Sequence, residues 1–224
     1  MKIAILDYDD TLSTGIMRYQ LGIEMEKAGL IAKGFSSEIT ELQDSYENRK
    51  ISYNEKFSED KKIFTRYYTG VKRLDMVRFL EERYGLEKYI KPWAAKLINQ
   101  LKQLGFLTVI ISGSWDFIIE EAQKYLDFDS FFASEMEFAD GKFTGRYKRI
   151  LDYKAKELYS KQTLHGSDFS IGLGDSQADL SFLQHVDKGF LYLPDERVLE
   201  ASLAQKLAIV NDKNVLSSIT EAIQ

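Results

Sequence analysis

Four consecutive apolar residues, Ile3-Ala4-Ile5-Leu6, run into a stretch with three carboxylates in four positions, Asp7, Asp9 and Asp10. An apolar run bounded by charge reads as a short strand buried on both faces of a parallel sheet, and ligands of such sheets sit at the carboxyl ends of the strands. After Leu12 the pattern turns helical for about seventy residues. Ile16, Tyr19 and Ile23, with Met17, Leu21 and Met25 between them, predict a helix that Gly29 stops. Ile39, Leu42 and Tyr46 predict a second. Ser52-Tyr53-Asn54-Glu55 has capping-box spacing and opens a third that Gly70 ends, and Leu74, Val77, Leu80 and Tyr84 predict a fourth ending at Gly85.

From Pro92 helices and strands alternate. A helix carrying Trp93, Leu97, Ile98, Leu101 and Leu104 stops at Gly105, and a strand follows from Leu107 to Ile111. Next come a helix from Asp116 to Leu126, the run Phe131-Phe132-Ala133, and a β-hairpin from Glu135 to Tyr147 that turns at Asp140-Gly141. The remainder predicts a helix near Asp152 to Lys161, a strand Phe169 to Leu173, a helix Ser176 to Gln184, a strand Phe190 to Leu193, a helix Asp195 to Leu203, a strand Ala208 to Val210 and a helix from Val215. The expected fold is α/β: a Rossmann-like parallel sheet formed by residues 1–12 and 89–224, with an all-helical domain, residues 13–88, inserted after the first strand. A module inserted there would sit over the acidic edge as a lid.

Composition narrows the function classes. An apolar content of 44% over 224 residues supports a real core, and a formal charge of -5 argues against nucleic acid as the main partner. The absence of cysteine excludes thiolate chemistry and disulfides, and fits a reducing cytoplasm. His165 and His185 are too isolated to suggest zinc. No apolar run is long enough for a signal peptide or a membrane span, so the expectation is a soluble cytoplasmic protein.

The acids at the end of the first strand read either as a solvated turn or as a cation site. Clustered carboxylates repel, and an all-oxygen set kept ionised favours Mg²⁺. Three other places put polar groups at strand ends. Ser112 closes a buried strand, with the Gly113 N–H beside it. Gly174-Asp175-Ser176-Gln177-Ala178-Asp179 is a strand end, a turn and a helix start that places Asp175 and Asp179 on one side, although Ser176 and Asp179 also suit a plain cap. Lys154 opens the helix after the hairpin.

In this order, Asp7-Tyr8-Asp9-Asp10-Thr11, Ser112, Lys154 and Gly174-Asp175-x-x-x-Asp179 resemble the four motifs of the haloacid dehalogenase superfamily, over nearly the whole chain. The helical insertion is similar to that superfamily's type 1 cap, and Ile110 to Ser114, Asp140 to Gly145 and Leu193-Pro194-Asp195 resemble its phosphoserine-phosphatase-like branch. The resemblance implies a Mg²⁺-dependent phosphatase acting on a small phosphorylated metabolite through an aspartyl-phosphate. Asp7 would be the nucleophile and Asp9 the acid and base. Asp7, the Asp9 carbonyl and Asp175 would hold the metal. Ser112, Gly113 and Lys154 would hold the phosphoryl group, Thr11 would orient Asp9, and Asp179 would support Lys154 or metal waters, leaving Asp10 a bystander. A phosphotransferase would use the same residues, and a non-catalytic phospho-ligand module would have lost one of them. Phosphoserine itself is not favoured. The position of that branch's ammonium-binding glutamate is Ile16, and the Asn before its last motif aspartate is Ala178. Tyr8, Trp115, Met17 and Tyr19 are candidates for an apolar pocket, and Arg66, Lys72 and Arg73 either meet an anionic tail or solvate a helix.

Overall fold

The computed structural model of the protein describes residues 1–202 and 207–223. The first strand, β1 (Lys2–Leu6), lies at the middle of a seven-stranded sheet. Its neighbours are β2 (Phe106–Trp115) on one side and β5 (Phe169–Gly174) on the other, both parallel to it. Side chains alternate across it: Ala4 and Leu6 enter one core, Ile3 and Ile5 the other. The full order is β4-β3-β2-β1-β5-β6-β7, where β3 is Ser130–Ala139, β4 Lys142–Arg149, β6 Lys188–Tyr192 and β7 Ala208–Val210. Among the described strands of the sheet, the β3–β4 pair is antiparallel and the other neighbouring pairs are parallel.

Helices cover both faces of the sheet. The Ala4/Leu6 face packs on α5 (Ala94–Gln103), α6 (Asp116–Leu126) and α10 (Val215–Ile223). The Ile3/Ile5 face packs on α7 (Tyr153–Leu164), α8 (Leu180–Leu183) and α9 (Glu196–Ser202). Successive strands therefore leave β1 in opposite directions, with β2 on one side and β5 on the other. Their carboxyl ends flank the crevice in which open α/β sheets bind ligands.

Between β1 and α5 lie α1 (Met17–Lys27), α2 (Phe35–Glu47), α3 (Tyr53–Tyr68) and α4 (Arg73–Phe79), then a π turn, Leu80–Tyr84, and a 3₁₀ turn, Leu86–Tyr89. The capping box opening α3 is formed in both directions, Ser52 with Glu55, and Gly85 leaves the π turn at φ 67°. The entry and exit of this block are tied together by Thr14 N–H to the Tyr89 carbonyl (2.7 Å) and Lys91 N–H to the Leu12 carbonyl (2.9 Å). Its far side is pinned to the β3–β4 hairpin, where Gly70 N–H donates to Phe143 O and Phe143 N–H to Val71 O. Trp115 continues the seam, meeting Phe64 edge-on and stacking on Tyr147.

The three largest differences from the sequence reading concern β2, β3 and the helix after β5. β2 runs to Trp115 rather than Ile111, because polar Ser112 and Ser114 are buried within it. Phe131 to Ala133 and the first arm of the hairpin are one strand, β3. The helix expected from Ser176 shrinks to Leu180–Leu183, since residues 176–179 form a turn held by Asp179. Leu203, the expected end of α9, lies outside the described residues.

Candidate active site

The chain reverses directly after β1. Leu12 and Ser13 N–H both donate to the Tyr8 carbonyl at 2.9 Å, and the Ser13 hydroxyl joins them at 3.1 Å. Asp10 sits at φ 57°, a left-handed conformation that Asp tolerates better than most residues. Its Oδ1 accepts from Gly15 N–H at 2.8 Å, and its carbonyl accepts from Lys91 Nζ at 2.9 Å. Asp10 is thus the hinge of the turn and not a bystander. The reversal turns Asp9 toward the start of α1, where its Oδ1 accepts from Met17 N–H at 2.8 Å and its Oδ2 lies 3.3 Å from Arg18 Nη1. Burial pushes the Asp9 carboxyl up to about 6, against the pull of Arg18 and the Met17 bond.

Asp7 N–H donates to the Leu173 carbonyl at 2.9 Å, so the ends of β1 and β5 are locked in register. Lys156, from α7, places its Nζ 2.6 Å from Asp7 Oδ1 and 2.6 Å from Asp179 Oδ1, all three side chains buried. Asp179 Oδ2 caps the turn, accepting from Asp175 N–H, Ser176 N–H and the Ser176 hydroxyl. The plain-cap role and the site role therefore coexist on its two oxygens. Burial and the Asp179 charge drive Asp7 up to about 8 despite Lys156, and burial with Asp179 and Asp7 drives Asp175 well up too. Burial alone would pull the Lys156 ammonium down, but the two carboxylates outweigh it.

A Cβ added at Gly174 would lie 2.5 Å from Asp179 Cβ and 2.7 Å from its Cγ. Gly174→Ala is therefore expected to displace the Asp179 carboxylate from Lys156 and to lower activity at least about tenfold, the scale on which small misplacements act. Comparing kcat with thermal melting checks this, and an unperturbed kcat would mean that the Asp179 position does not matter.

Two assignments made from sequence are corrected. Lys154 is exposed, with its ammonium 5.8 Å from the centre of the neighbouring Tyr153 ring, and Lys156 is the lysine that reaches the acids. Two residues on a helix are turned about 200° apart, so 154 and 156 cannot share a target. Thr11 donates to Asp175 Oδ1 at 2.7 Å and so holds Asp175, not Asp9. Ser112 is buried with its Oγ accepting from Ser114 N–H at 3.2 Å, which leaves its own proton free to donate.

These groups floor a cavity of about 500 Å³ bordered by Asp7, Asp9, Ser112, Gly113, Lys156 and Asp175. Its roof is Ile16, Arg18, Tyr46, Tyr53, Lys56 and Phe57 from the helical insertion. Tyr8, Met17, Tyr19 and Trp115 are buried and none borders this cavity. Arg66 pairs with Glu38, and Arg73 pairs with Asp116 and Glu120, so neither reaches it. The cations that do, Arg18, Lys56, Lys91 and Arg197, were not singled out from the sequence. Arg18 had a visible signal, a lone charge inside the apolar run Ile16-Met17-Arg18-Tyr19. Its partner Asp60, 2.7 Å away and buried, was masked by the charge run Glu59 to Lys62.

Asp7, Asp175 and Asp179 offer carboxylate oxygens within 4.8 Å of one another, a hard all-oxygen set of the kind Mg²⁺ prefers. Burial and mutual repulsion raise two of these acids, so a cation among them would relieve the cost of ionising both. No helix among the described residues is long and apolar enough to cross a membrane.

The family model for haloacid dehalogenase-like hydrolases matches residues 4–184, and the chain belongs to that family. It is similar to the phosphoserine phosphatase of Archaeoglobus fulgidus, 24% identical over 85% of this chain and 52% of that protein. It is also similar to the phosphoserine phosphatase of Streptomyces coelicolor, 31% identical over 52% of this chain and 30% of that protein. The chain thus spans about half or less of the length of these relatives. Among solved structures, a phospho-aspartyl intermediate analogue of phosphoserine phosphatase superposes with a TM-score of 0.74 at 18% identity, covering 100% of this chain and 99% of the other. A phosphoserine phosphohydrolase-like protein from Francisella tularensis gives 0.73 at 19% identity, covering 98% and 99%. At these identities the structures share the fold.

Proposed function

We propose that the protein is a Mg²⁺-dependent phosphatase that hydrolyses a small phosphomonoester through an aspartyl-phosphate. The observation that carries this reading is the buried Asp7–Lys156–Asp179 array on the cavity floor, with Asp9 and Asp175 beside it. The family membership and the phosphoserine phosphatases among the relatives support the same reaction class.

Asp7 attacks phosphorus in line, and the bond to the leaving oxygen breaks as the bond to Asp7 forms. Asp9 gives its proton to that oxygen and then takes one from the water that cleaves the acyl phosphate. A carboxyl held at about 6 suits both roles near neutral pH, and Met17 N–H and Arg18 keep it aimed. The Ser112 hydroxyl, the Gly113 N–H and the Lys156 ammonium hold the phosphoryl oxygens, while Asp179 positions Lys156 and Thr11 positions Asp175. Asp7, Asp175 and the Asp9 carbonyl would hold Mg²⁺, and the bound ion would supply positive charge between the anionic nucleophile and the anionic phosphoryl group. Residues 13–88 act as the cap that shields the reaction from bulk water.

Release of inorganic phosphate from p-nitrophenyl phosphate tests the reading. Turnover is expected with Mg²⁺ and is expected to fall to background in excess chelator. Absence of metal-dependent turnover with every phosphomonoester tried would sink the enzyme assignment.

A further inference from the structure

Among the described residues, one cation on the cavity wall has no acceptor to bind. Arg18 is committed to Asp9 and Asp60, Arg197 to the Tyr46 carbonyl and Asp195, and Lys91 to the Asp10 carbonyl. Lys56 lies on α3 and lines the same cavity and, among the described residues, has neither a carboxylate within 4.0 Å nor a hydrogen-bond acceptor. Its ammonium lies 4.5 Å from the centre of the Tyr46 ring and 5.9 Å from that of Tyr19. Ring faces compensate an ammonium only partly for lost water. Burial first, and then the Arg18 charge, pull Lys56 down to about 8, against the smaller opposing influence of Asp60, Asp10 and Asp175. A half-buried cation without an acceptor is completed by an anion entering the cavity.

Among the described residues, the same wall turns no carboxylate toward the cavity interior for a cation to pair with, and its buried acceptor without a partner, Gln43 Oε1, is neutral. Ile16 is apolar, and Asp60 faces Arg18 and does not border the cavity. The acids away from the catalytic floor, Glu47 and Asp195, are exposed at the rim, and Asp195 is engaged by Arg197 and Val198 N–H. Resting on the phosphatase reading above, we propose that the substrate is a phosphorylated acid: a phosphomonoester whose leaving group carries a carboxylate, received by Lys56, and no ammonium beside it. One uncommitted lysine matches one carboxylate charge. The carboxylate neither gains nor loses a bond in the reaction, so it contributes binding and orientation alone.

Three probes of nearly equal size separate these features. O-phosphoserine has a carboxylate and an ammonium, 3-phosphoglycerate replaces the ammonium with a hydroxyl, and sn-glycerol 3-phosphate lacks the carboxylate. The wild-type protein with Mg²⁺ is expected to favour 3-phosphoglycerate over each of the others by about tenfold or more in kcat/KM, the scale of one charge-assisted contact. Lys56→Met, which keeps the apolar stem, should bring the ratio of 3-phosphoglycerate to glycerol 3-phosphate close to one, and Lys56→Arg should restore much of it. Equal rates on 3-phosphoglycerate and glycerol 3-phosphate by the wild-type protein would overturn the proposal without needing any variant. Preference for O-phosphoserine over 3-phosphoglycerate would overturn its second half. If Lys56→Met lowers both rates and keeps their ratio, Lys56 is not the receptor. Turnover of glycerol 3-phosphate without carboxylate preference would leave the phosphatase reading standing, whereas no turnover of any probe would remove that reading first.

Discussion

Replacing Asp7 with Asn is expected to lower turnover by about 10⁴-fold or more while leaving the chelated protein at least as heat-stable as the parent. Loss of a nucleophile removes the covalent route altogether, and losses on that order follow when such a group is deleted from a catalytic unit. The stability half follows from charge. Asp7 is buried, and its carboxyl is pushed up from 3.8 to about 8 by burial and by Asp179. A carboxyl whose folded value lies above its unfolded value weakens the fold progressively as pH rises through that interval. At neutral pH the metal-free fold therefore bears a cost that Asn, carrying no charge, does not impose, and Lys156 keeps Asp179 as its partner. Mg²⁺ should raise the melting temperature of the wild-type protein, because it binds only the folded site, and should raise that of the variant less. Thermal melts with Mg²⁺ and with chelator, run beside phosphate release, check both halves. An active Asp7→Asn protein would mean that another group attacks phosphorus.

That combination, activity lost and fold kept, is the signature of a site assembled against its own electrostatics, and it bears on what the sequence could reveal. The strands and the helical insertion were legible because their signals are local: the double-faced apolar run of β1, the Ser52–Glu55 capping box, the Asp140-Gly141 turn with φ 50° and 75°. Asp7, Asp9, Ser112 and Asp175 were legible as candidates because strand ends carried them to one edge. Side-chain direction within helices was not. On α7, Leu158 is apolar yet 54% exposed, while Lys156 and Ser160 are buried. The apolar pattern therefore points to the face shared by 154 and 158, although the core lies on the other side. The Thr11 partner is hidden for a related reason: the turn that brings its hydroxyl to Asp175 depends on Tyr8, Asp10 and Gly15 contacts that no periodicity encodes. Lys56 carries no signal in the sequence, because a lysine on a charged helix ordinarily faces solvent and it is the approach of α3 to the sheet edge that encloses it.

The α7 inversion makes the two lysines the sharpest contrast available. Lys156→Met is expected to lower turnover by about 10²–10³-fold, as removal of one preorganised donor does, and to destabilise the fold by about 3–5 kcal/mol, as breaking a buried ion pair does. Methionine fills the volume but leaves Asp7 and Asp179 facing each other without the cation that now lies 2.6 Å from each. Mg²⁺ should recover part of the stability, by pairing Asp7, and little of the turnover, because the ammonium that holds the phosphoryl oxygen is gone. Lys154→Met should sit within about twofold of wild type in kcat/KM and within about 0.5 kcal/mol in stability, as exposed substitutions do. Should Lys156→Met fail to fold, the Lys154 variant still decides: a folded but inactive Lys154→Met protein would place the working lysine on the face of α7 that the structure turns to water. Urea unfolding alongside phosphate release separates these outcomes, because a lysine that only solvates a helix can change neither by much, and a lysine shared between two buried carboxylates must change both.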